Sequence, residues 1–316
     1  MLEINKRENK KEAEKQMFSF KKNNLDKIKS FIRNSEEVQI DKEDKEELIK
    51  MIRPTVGIKT KSSDDKNVKI GKSKIGGKPD LPKGFDWPTI NGKSMLFCAQ
   101  YNLAELTKFD KENLLPKKGF FYIFLSLDEE WNEFNGVNQP FKLLFRESEN
   151  LIRTEFPKDL EENQTFKTAL IEYFEFYTLP DDENYKLFEL DKKYNNDLYF
   201  YFYQPTEEYI GEELYQDSNN MHQILGHDRA IQSSVVYEFA SKELELYGAE
   251  SSEHQKRWND IIELSKTYEL LLQLDCYDSN TDLTKYGGSG TYYFGLSKTD
   301  LENMNFNNIK MSFQMT

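Results

Sequence analysis

Metal-binding and redox side chains are scarce: 316 residues contain three histidines and two cysteines. His222 and His227 stand five apart, His254 is distant, and no cysteine accompanies them, which excludes the familiar zinc spacings. Cys98 and Cys276 lie in apolar runs and read as buried free thiols of a reducing cytosol, without a disulfide framework. Neither forms a nucleophile signature with a histidine. No apolar run approaches the ~20 residues of a membrane span. Met1–Lys11 is charged, which excludes a signal peptide there, so a cytoplasmic protein is expected. Positive charge is short as well: 43 Lys and Arg face 56 Asp and Glu, a net −13. Such a surface repels phosphate backbones, so nucleic acid is not expected and a basic protein partner is. Hydrophobic residues are only 37%, but 23 Phe and 18 Tyr bury large areas each and can supply the core. No metal or cofactor is expected.

What is present is organised around Glu269–Leu296, ELLLQLDCYDSNTDLTKYGGSGTYYFGL. The apolar runs Leu270–Leu274 and Thr291–Leu296, bounded by turn signals, predict two strands covered on both faces. A copy of this grammar lies upstream in MLFCAQYNL and LPKKGFFYIFL. Gln100 answers Gln273 and Gly119 answers Gly290, at Gln-to-Gly spacings of 19 and 17. The chain reads as a divergent duplication of a strand-loop-strand unit. Buried carboxamides must be hydrogen-bonded. Gln100 and Gln273 therefore either clamp loop backbone, the preferred reading, or line a pocket.

Residues 1–53 read as an N-terminal helical segment. Leu25, Ile28, Phe31 and Ile32 recur at helical spacing, and a second helix follows Asp41 as N-cap and stops at Pro54. Residues 54–316 read as one domain of two pseudo-repeats, about 54–205 and 206–316, with no linker between them. Period-two patterns predict strands at Val56–Ile58 and Val68–Ile70. Phe141–Phe145, Leu151–Phe156, Tyr173–Tyr177, Leu187–Leu190 and aromatic Asn196–Gln204 are further predicted strands. Thr206 is a candidate cap for a helix over 207–217, and another helix is predicted over 220–226. Val235–Leu246 fits helix or strand, and Ser252 with Gln255 predicts a capping box.

Gly71–Lys93, GKSKIGGKPDLPKGFDWPTINGK, carries five Gly and three Pro in twenty-three residues, too many for a helix or regular strand. Its Ile75, Leu81, Phe85 and Trp87 seek burial, so an ordered loop docked through Trp87 is expected, and long ordered loops are often functional.

Several ordered motifs resemble the YwqG-like family, a bacterial family of unknown function. They are Ser73-Lys74-Ile75-Gly76-Gly77-Lys78-Pro79-Asp80-Leu81-Pro82 with Trp87-Pro88, Met95–Leu103, Gly119–Phe124, Leu225-Gly226 with Ile231-Gln232, Leu271–Asp275 and Gly288–Phe294. His227 and Asp228 replace the usual Tyr and Pro, and Tyr286-Gly287-Gly288 replaces Trp-Gly-Asp. The resemblance implies an α+β fold of mixed, mostly antiparallel sheets with flanking helices, and no established reaction. It also implies a role beside secreted toxins, which points to an immunity-like or partner-binding protein.

Asp275, Asp278 and Asp282 alternate with Ser and Asn but lack the Gly and Glu of a calcium loop, and read as a solvated acidic turn. Gly287–Gly290 lacks the Lys of a phosphate loop and reads as a strand entry. The acidic groups 128–130 and 181–183 sit on predicted turns. The leading expectation is a non-enzymatic interaction module. The rival is a small-ligand binder or enzyme with a site under the Gly71–Trp87 loop: Lys74, Gly76, Gly77, Pro79, Trp87, Gln100, Gln273 and Asp275. Oligomeric state is not legible.

Overall fold

Two long strands with complementary aromatic and β-branched faces set the centre of the fold. In a computed structural model, which describes residues 24–126, 141–147, 150–180, 184–215, 222–246 and 249–315, Arg53–Ser62 (β1) pairs antiparallel with Ala169–Thr178 over its full length. The strands between and after them are Lys74–Ile75 (β2), Asp80–Pro82 (β3), Thr89–Ile90 (β4), Lys93–Ser94 (β5), Leu96–Asn102 (β6), Phe120–Leu125 (β7), Phe141–Arg146 (β8), Leu151–Arg153 (β9) and Ala169–Thr178 (β10). Gln223–Ile224 (β11), Tyr268–Asp275 (β12), Gly290–Ser297 (β13) and Lys310–Met315 (β14) complete the set. One sheet runs β14-β13-β12-β11-β1-β10-β2-β6-β7-β8, and the pairs β3-β9 and β4-β5 stand apart. The protein is α+β, with antiparallel pairing in each neighbouring pair of the main sheet.

The order reads the same from either edge. On each side of β1-β10 come a two-residue strand, a glutamine-bearing strand, an aromatic strand and an edge strand. Gln100 sits between Lys74 and Tyr122, and Gln273 between Gln223 and Tyr293. Both glutamine strands carry an irregularity two residues before the glutamine, at Cys98 and Leu271. The amide of Gly76 donates to Cys98 O (2.7 Å) and that of Leu225 to Leu271 O (3.1 Å). A Cβ at Gly119 would overlap Phe145 across the ladder, and one at Gly290 would overlap Phe313. The expected strand-loop-strand duplication is therefore visible in register and contact.

The main core spans both halves: Phe141 meets Phe294 edge-on at 5.2 Å, and Phe121 meets Phe306 at 4.8 Å. Cys98 and Cys276 are free and buried within it, and burial pushes both thiols up. A second cluster of Leu81, Met95, Phe97, Phe120, Tyr122 and Phe124 lies under Phe85 and Trp87.

Contacts divide the chain in two. Arg53–Thr178 and Asn220–Thr316 form the sheet unit just described. The other unit takes in the described parts of Met1–Ile52 and Leu179–Asn219. In it, helices Asn24–Asn34 and Lys42–Lys50 accompany Phe188–Lys193 and a winding run to Tyr215, and Phe31 stacks on Tyr209 at 4.1 Å.

Several local expectations are corrected. Most of Asn196–Gln204 is helical, from Leu198 onward, with Leu198, Phe202, Thr206 and Ile210, four apart, as the positions turned fully inward. An all-aromatic run carries no period of its own. Thr206 lies inside that helix, bonding back to Phe202 O, and does not cap it. Leu187–Leu190 enters a helix. Val68–Ile70 forms no strand, and Val68 O accepts from Arg153 instead. The described part of 220–226 holds strand β11, not a helix, and Val235–Glu243 is helical. Asp41 and Ser252 make no side-chain cap. The acidic groups 128–130 and 181–183, with Trp131 and Phe134, lie outside the described residues. Among the described residues no helix is long and apolar enough to cross a membrane.

If Gly290 approaches β14 as closely as the geometry shows, Gly290→Ala forces Phe313 aside and costs about 1–3 kcal/mol, the usual range for overpacking. Chemical denaturation reads this directly, and an unchanged midpoint would refute the close approach.

Candidate functional site

The Gly71–Trp87 loop is held from beneath by one carboxamide. Gln100 Oε1 accepts the Asp80 amide at 2.7 Å, and its Nε2 donates to Lys72 O at 2.7 Å and Asp80 Oδ2 at 2.9 Å. Tyr122 Oη donates to Asp80 O at 2.8 Å. Trp87, half-buried, donates from Nε1 to Met95 O at 2.8 Å and meets Phe124 edge-on at 5.3 Å. The loop is thus ordered and anchored as expected. Its underside is filled by this packing, so Gln100 clamps backbone rather than lining a pocket.

Gln273 does the same for the second half. Its Oε1 accepts the Arg229 amide at 3.1 Å, its Nε2 donates to Arg229 O at 3.2 Å, and Tyr293 Oη donates to Arg229 O at 3.0 Å. Both glutamines are fully buried. Four strands separate their own strands, so the structure does not gather Gln100, Gln273 and Asp275 under one loop.

The two clamped turns share a backbone path and differ in chemistry. Gly76 and Gly77 have φ of 64° and 67°, and Leu225 and Gly226 have 61° and 82°. A Cβ at Gly77 would overlap Thr168 Oγ1 and Asp65 Oδ1, and one at Gly226 would overlap Thr55 Oγ1. In the second turn neutral groups close the network. Gln223 Nε2 donates to His227 O at 2.7 Å, Thr55 and Thr178 hydroxyls meet at 2.9 Å, and the His227 amide donates to Thr178 Oγ1 at 2.8 Å. In the first turn the same places hold ions. Lys74 Nζ, fully buried, donates to Lys78 O and to Asp65 Oδ1 (2.7 Å), and Thr168 Oγ1 donates to Asp65 Oδ1 at 3.2 Å. Arg153 closes the set. It pairs with Asp65 Oδ2 at 2.9 Å and with buried Asp80 Oδ1, and donates to Val68 O at 2.9 Å. Burial opposes the Asp65 carboxylate, but Lys74 and Arg153 outweigh it and hold its pKa below the ordinary value. Burial lowers the Lys74 ammonium against the pull of Asp65.

Pro79 fixes the loop through its carbonyl, which accepts the Thr154 amide at 2.8 Å. Asp275 is buried at the end of β12, where its Oδ1 accepts the Tyr277 amide at 2.8 Å, as Asn102 accepts that of Ala104 at 3.0 Å in the first half. The Asp275 amide donates to His222 Nδ1 at 3.0 Å, leaving His222 Nε2 to donate to Asp278 Oδ2 at 3.1 Å. Burial alone would raise the Asp278 carboxyl. Hydrogen bonds from His222, Thr60 and the Asn280 amide outweigh it and lower it to about 2. Asp278 is therefore a built-in lock rather than a solvated turn residue. Among the described residues no group of three or more His, Cys, Asp or Glu could hold a metal ion.

An open cleft of about 900 Å³ runs along the outer edge of the loop at Gly77 and Lys78. Its walls carry Ser62–Asp65, Glu155, Phe156, Glu162, Phe166, Thr168, Asp282 and Lys285. Of the expected site residues Gly77 reaches it, while Lys74 stands behind it, bonded to Lys78 O and Asp65. Sequence reading missed Asp65 and Arg153. Asp65 lies between the predicted strands Val56–Ile58 and Val68–Ile70, and Arg153 in the predicted strand Leu151–Phe156, 73 residues from Asp80.

Two outcomes follow. Lys74→Gln leaves Asp65 with one cation fewer and costs about 3–5 kcal/mol, as breaking a buried pair does. Lys74→Gln with Asp65→Thr, which imports the chemistry of the second turn, recovers part of that loss in a double-mutant cycle, and strict additivity would refute the equivalence. Asp278, with a folded pKa of about 2 against an ordinary 3.8, stabilises fully above the ordinary value and loses that contribution as pH falls toward 2. Thermal melts of wild type should fall more steeply across that window than those of Asp278→Asn.

No curated protein sequence matches the chain. The model of a family described as "Domain of unknown function (DUF1963)" matches residues 73–314, from the start of the first clamped turn to the last strand. By that match over most of its length, and with both clamped turns inside it, the chain belongs to the DUF1963 family.

Proposed function

We propose that this is a non-enzymatic partner-binding protein of the YwqG-like kind, bacterial and cytoplasmic, that sequesters a basic protein in an immunity-like way. The supporting observation is the cleft beside Gly77 and Lys78, on a chain of net charge −13. It is open to solvent, and carboxylates stand at its rim beside Lys78, Lys167 and Lys285. Asp64 and Glu155 are 69% and 78% exposed, and Glu162 is exposed as well. Ion pairs and hydrogen bonds behind the cleft tie Asp65 and Lys78 of its wall to Lys74 and Arg153, and a wall fixed in this way offers a partner a preorganised surface.

A second reading keeps the same cleft for a small ligand. Its concavity and its Phe156 and Phe166 walls favour that reading.

The experiment is titration of an oligolysine peptide into wild type and Asp64→Lys/Glu162→Lys. Both substituted side chains are exposed, so folding is retained. Affinity should fall about tenfold and the salt dependence flatten, as expected when rim attraction turns to repulsion. Equal affinity in the two proteins would overturn the reading of the cleft.

A further inference from the structure

The run Asp197–Tyr215, DLYFYFYQPTEEYIGEELY, holds five carboxylates and seven aromatic rings and no Lys or Arg. It winds as π-helix Tyr199–Tyr203, α-helix Gln204–Glu208 and π-helix Tyr209–Tyr215. Leu198, Phe202, Thr206 and Ile210 form its inward stripe at 0% exposure. The outward face has an uncommon composition. Phe200 is 63% exposed and Tyr199 39%. The Tyr199 ring meets Phe200 edge-on at 5.2 Å and Tyr203 at 5.8 Å, so the three rings make one contiguous aromatic turn. In the following turns Glu208 and Glu212 are exposed.

Single exposed apolar residues need no explanation, but clustered aromatic rings beside unbalanced carboxylates do. Aromatic rings of this kind are the usual anchors of protein interfaces. Their faces attract cations, and a guanidinium can stack on a ring while donating to a neighbouring carboxylate. With no Lys or Arg in the run, its own side chains do not repel an approaching cation. A second copy of the chain would set this acidic face against itself, and an anionic membrane surface would be repelled.

We infer that the outward face of this helix, through Tyr199, Phe200, Tyr203, Glu208 and Glu212, is a docking surface for an arginine-bearing segment of another protein. The inference rests on the partner-binding reading above but assigns the contact to the helical unit instead of the cleft of the sheet unit.

The test titrates a synthetic peptide of alternating Arg and Ser into the full chain, at low and physiological salt. Tyr199→Ala/Phe200→Ala changes no charge, so a loss of affinity from it reports ring contact and not general attraction to an acidic protein. The expected loss is about tenfold, the scale of a hot-spot truncation. Replacing Arg by Lys in the peptide should also weaken binding, because Lys lacks the planar stacking group. Glu208→Lys/Glu212→Lys, at two exposed positions, serves as a second variant and should weaken binding too. Unchanged affinity in both helix variants would overturn the inference. Sensitivity only to Asp64→Lys/Glu162→Lys would overturn it while supporting the cleft, and the reverse pattern would support it and exclude the cleft. Self-association of wild type that Tyr199→Ala/Phe200→Ala abolishes would identify the occupant as a second copy and overturn it.

Discussion

A primary amide buried without partners is costly, and this fold buries those of Gln100 and Gln273 at matched places. Gln100 and Gln273 sit at the middle of covered strands, where a side chain can reach neither solvent nor its own ladder. Each finds its partners in the main chain of a turn passing beside it, at Asp80 and at Arg229. The dependence runs both ways. The turn supplies an amide and a carbonyl that burial would otherwise leave unpaired, and the glutamine supplies groups that only that backbone path can meet. The tyrosine across the ladder adds a hydroxyl to the same carbonyl. The path of two irregular segments is thereby tied to two regular strands.

That shared geometry shows what the ions of the first half do not do. Gln223, Thr55 and Thr178 hold the second turn with neutral groups. The backbone path itself therefore does not require charge. Lys74, Asp65, Asp80 and Arg153 add something else: they reach from the turn to β9 and to the segment after β1, joining pieces far apart in sequence. Buried pairs of this kind add little net stability over neutral packing, yet breaking one is severe. They specify one arrangement of the cleft wall and resist local opening.

The helical unit shows a different balance. Its inward stripe is ordinary packing at a spacing of four, whereas Tyr199 and Phe200 of its outward aromatic turn keep much of their surface exposed. Of the five rings of Tyr199–Tyr203, two are exposed and only Phe202 is buried. Aromatic β-propensity reflects packing against neighbours on a half-buried pleated surface, which composition alone does not supply.

The duplication was legible because it lives in residue identity. Gln100 and Gln273, Gly119 and Gly290 stand at comparable spacings, and a buried polar residue in an apolar run has few structural excuses. The strands carrying those glutamines, the burial of both cysteines and the anchoring of Trp87 were likewise written in local pattern, whereas the α+β class came from the family resemblance. Tertiary structure alone decided which neutral turn answers which ionic one, since Lys74 and Gln223 share neither charge nor motif. It alone decided that Arg153 closes on Asp65 and Asp80, and that His222 locks Asp278, because those partners lie 88, 73 and 56 residues apart. Periodicity reports which face of an element is covered. It carries no information on which distant charge will be brought there to cover it.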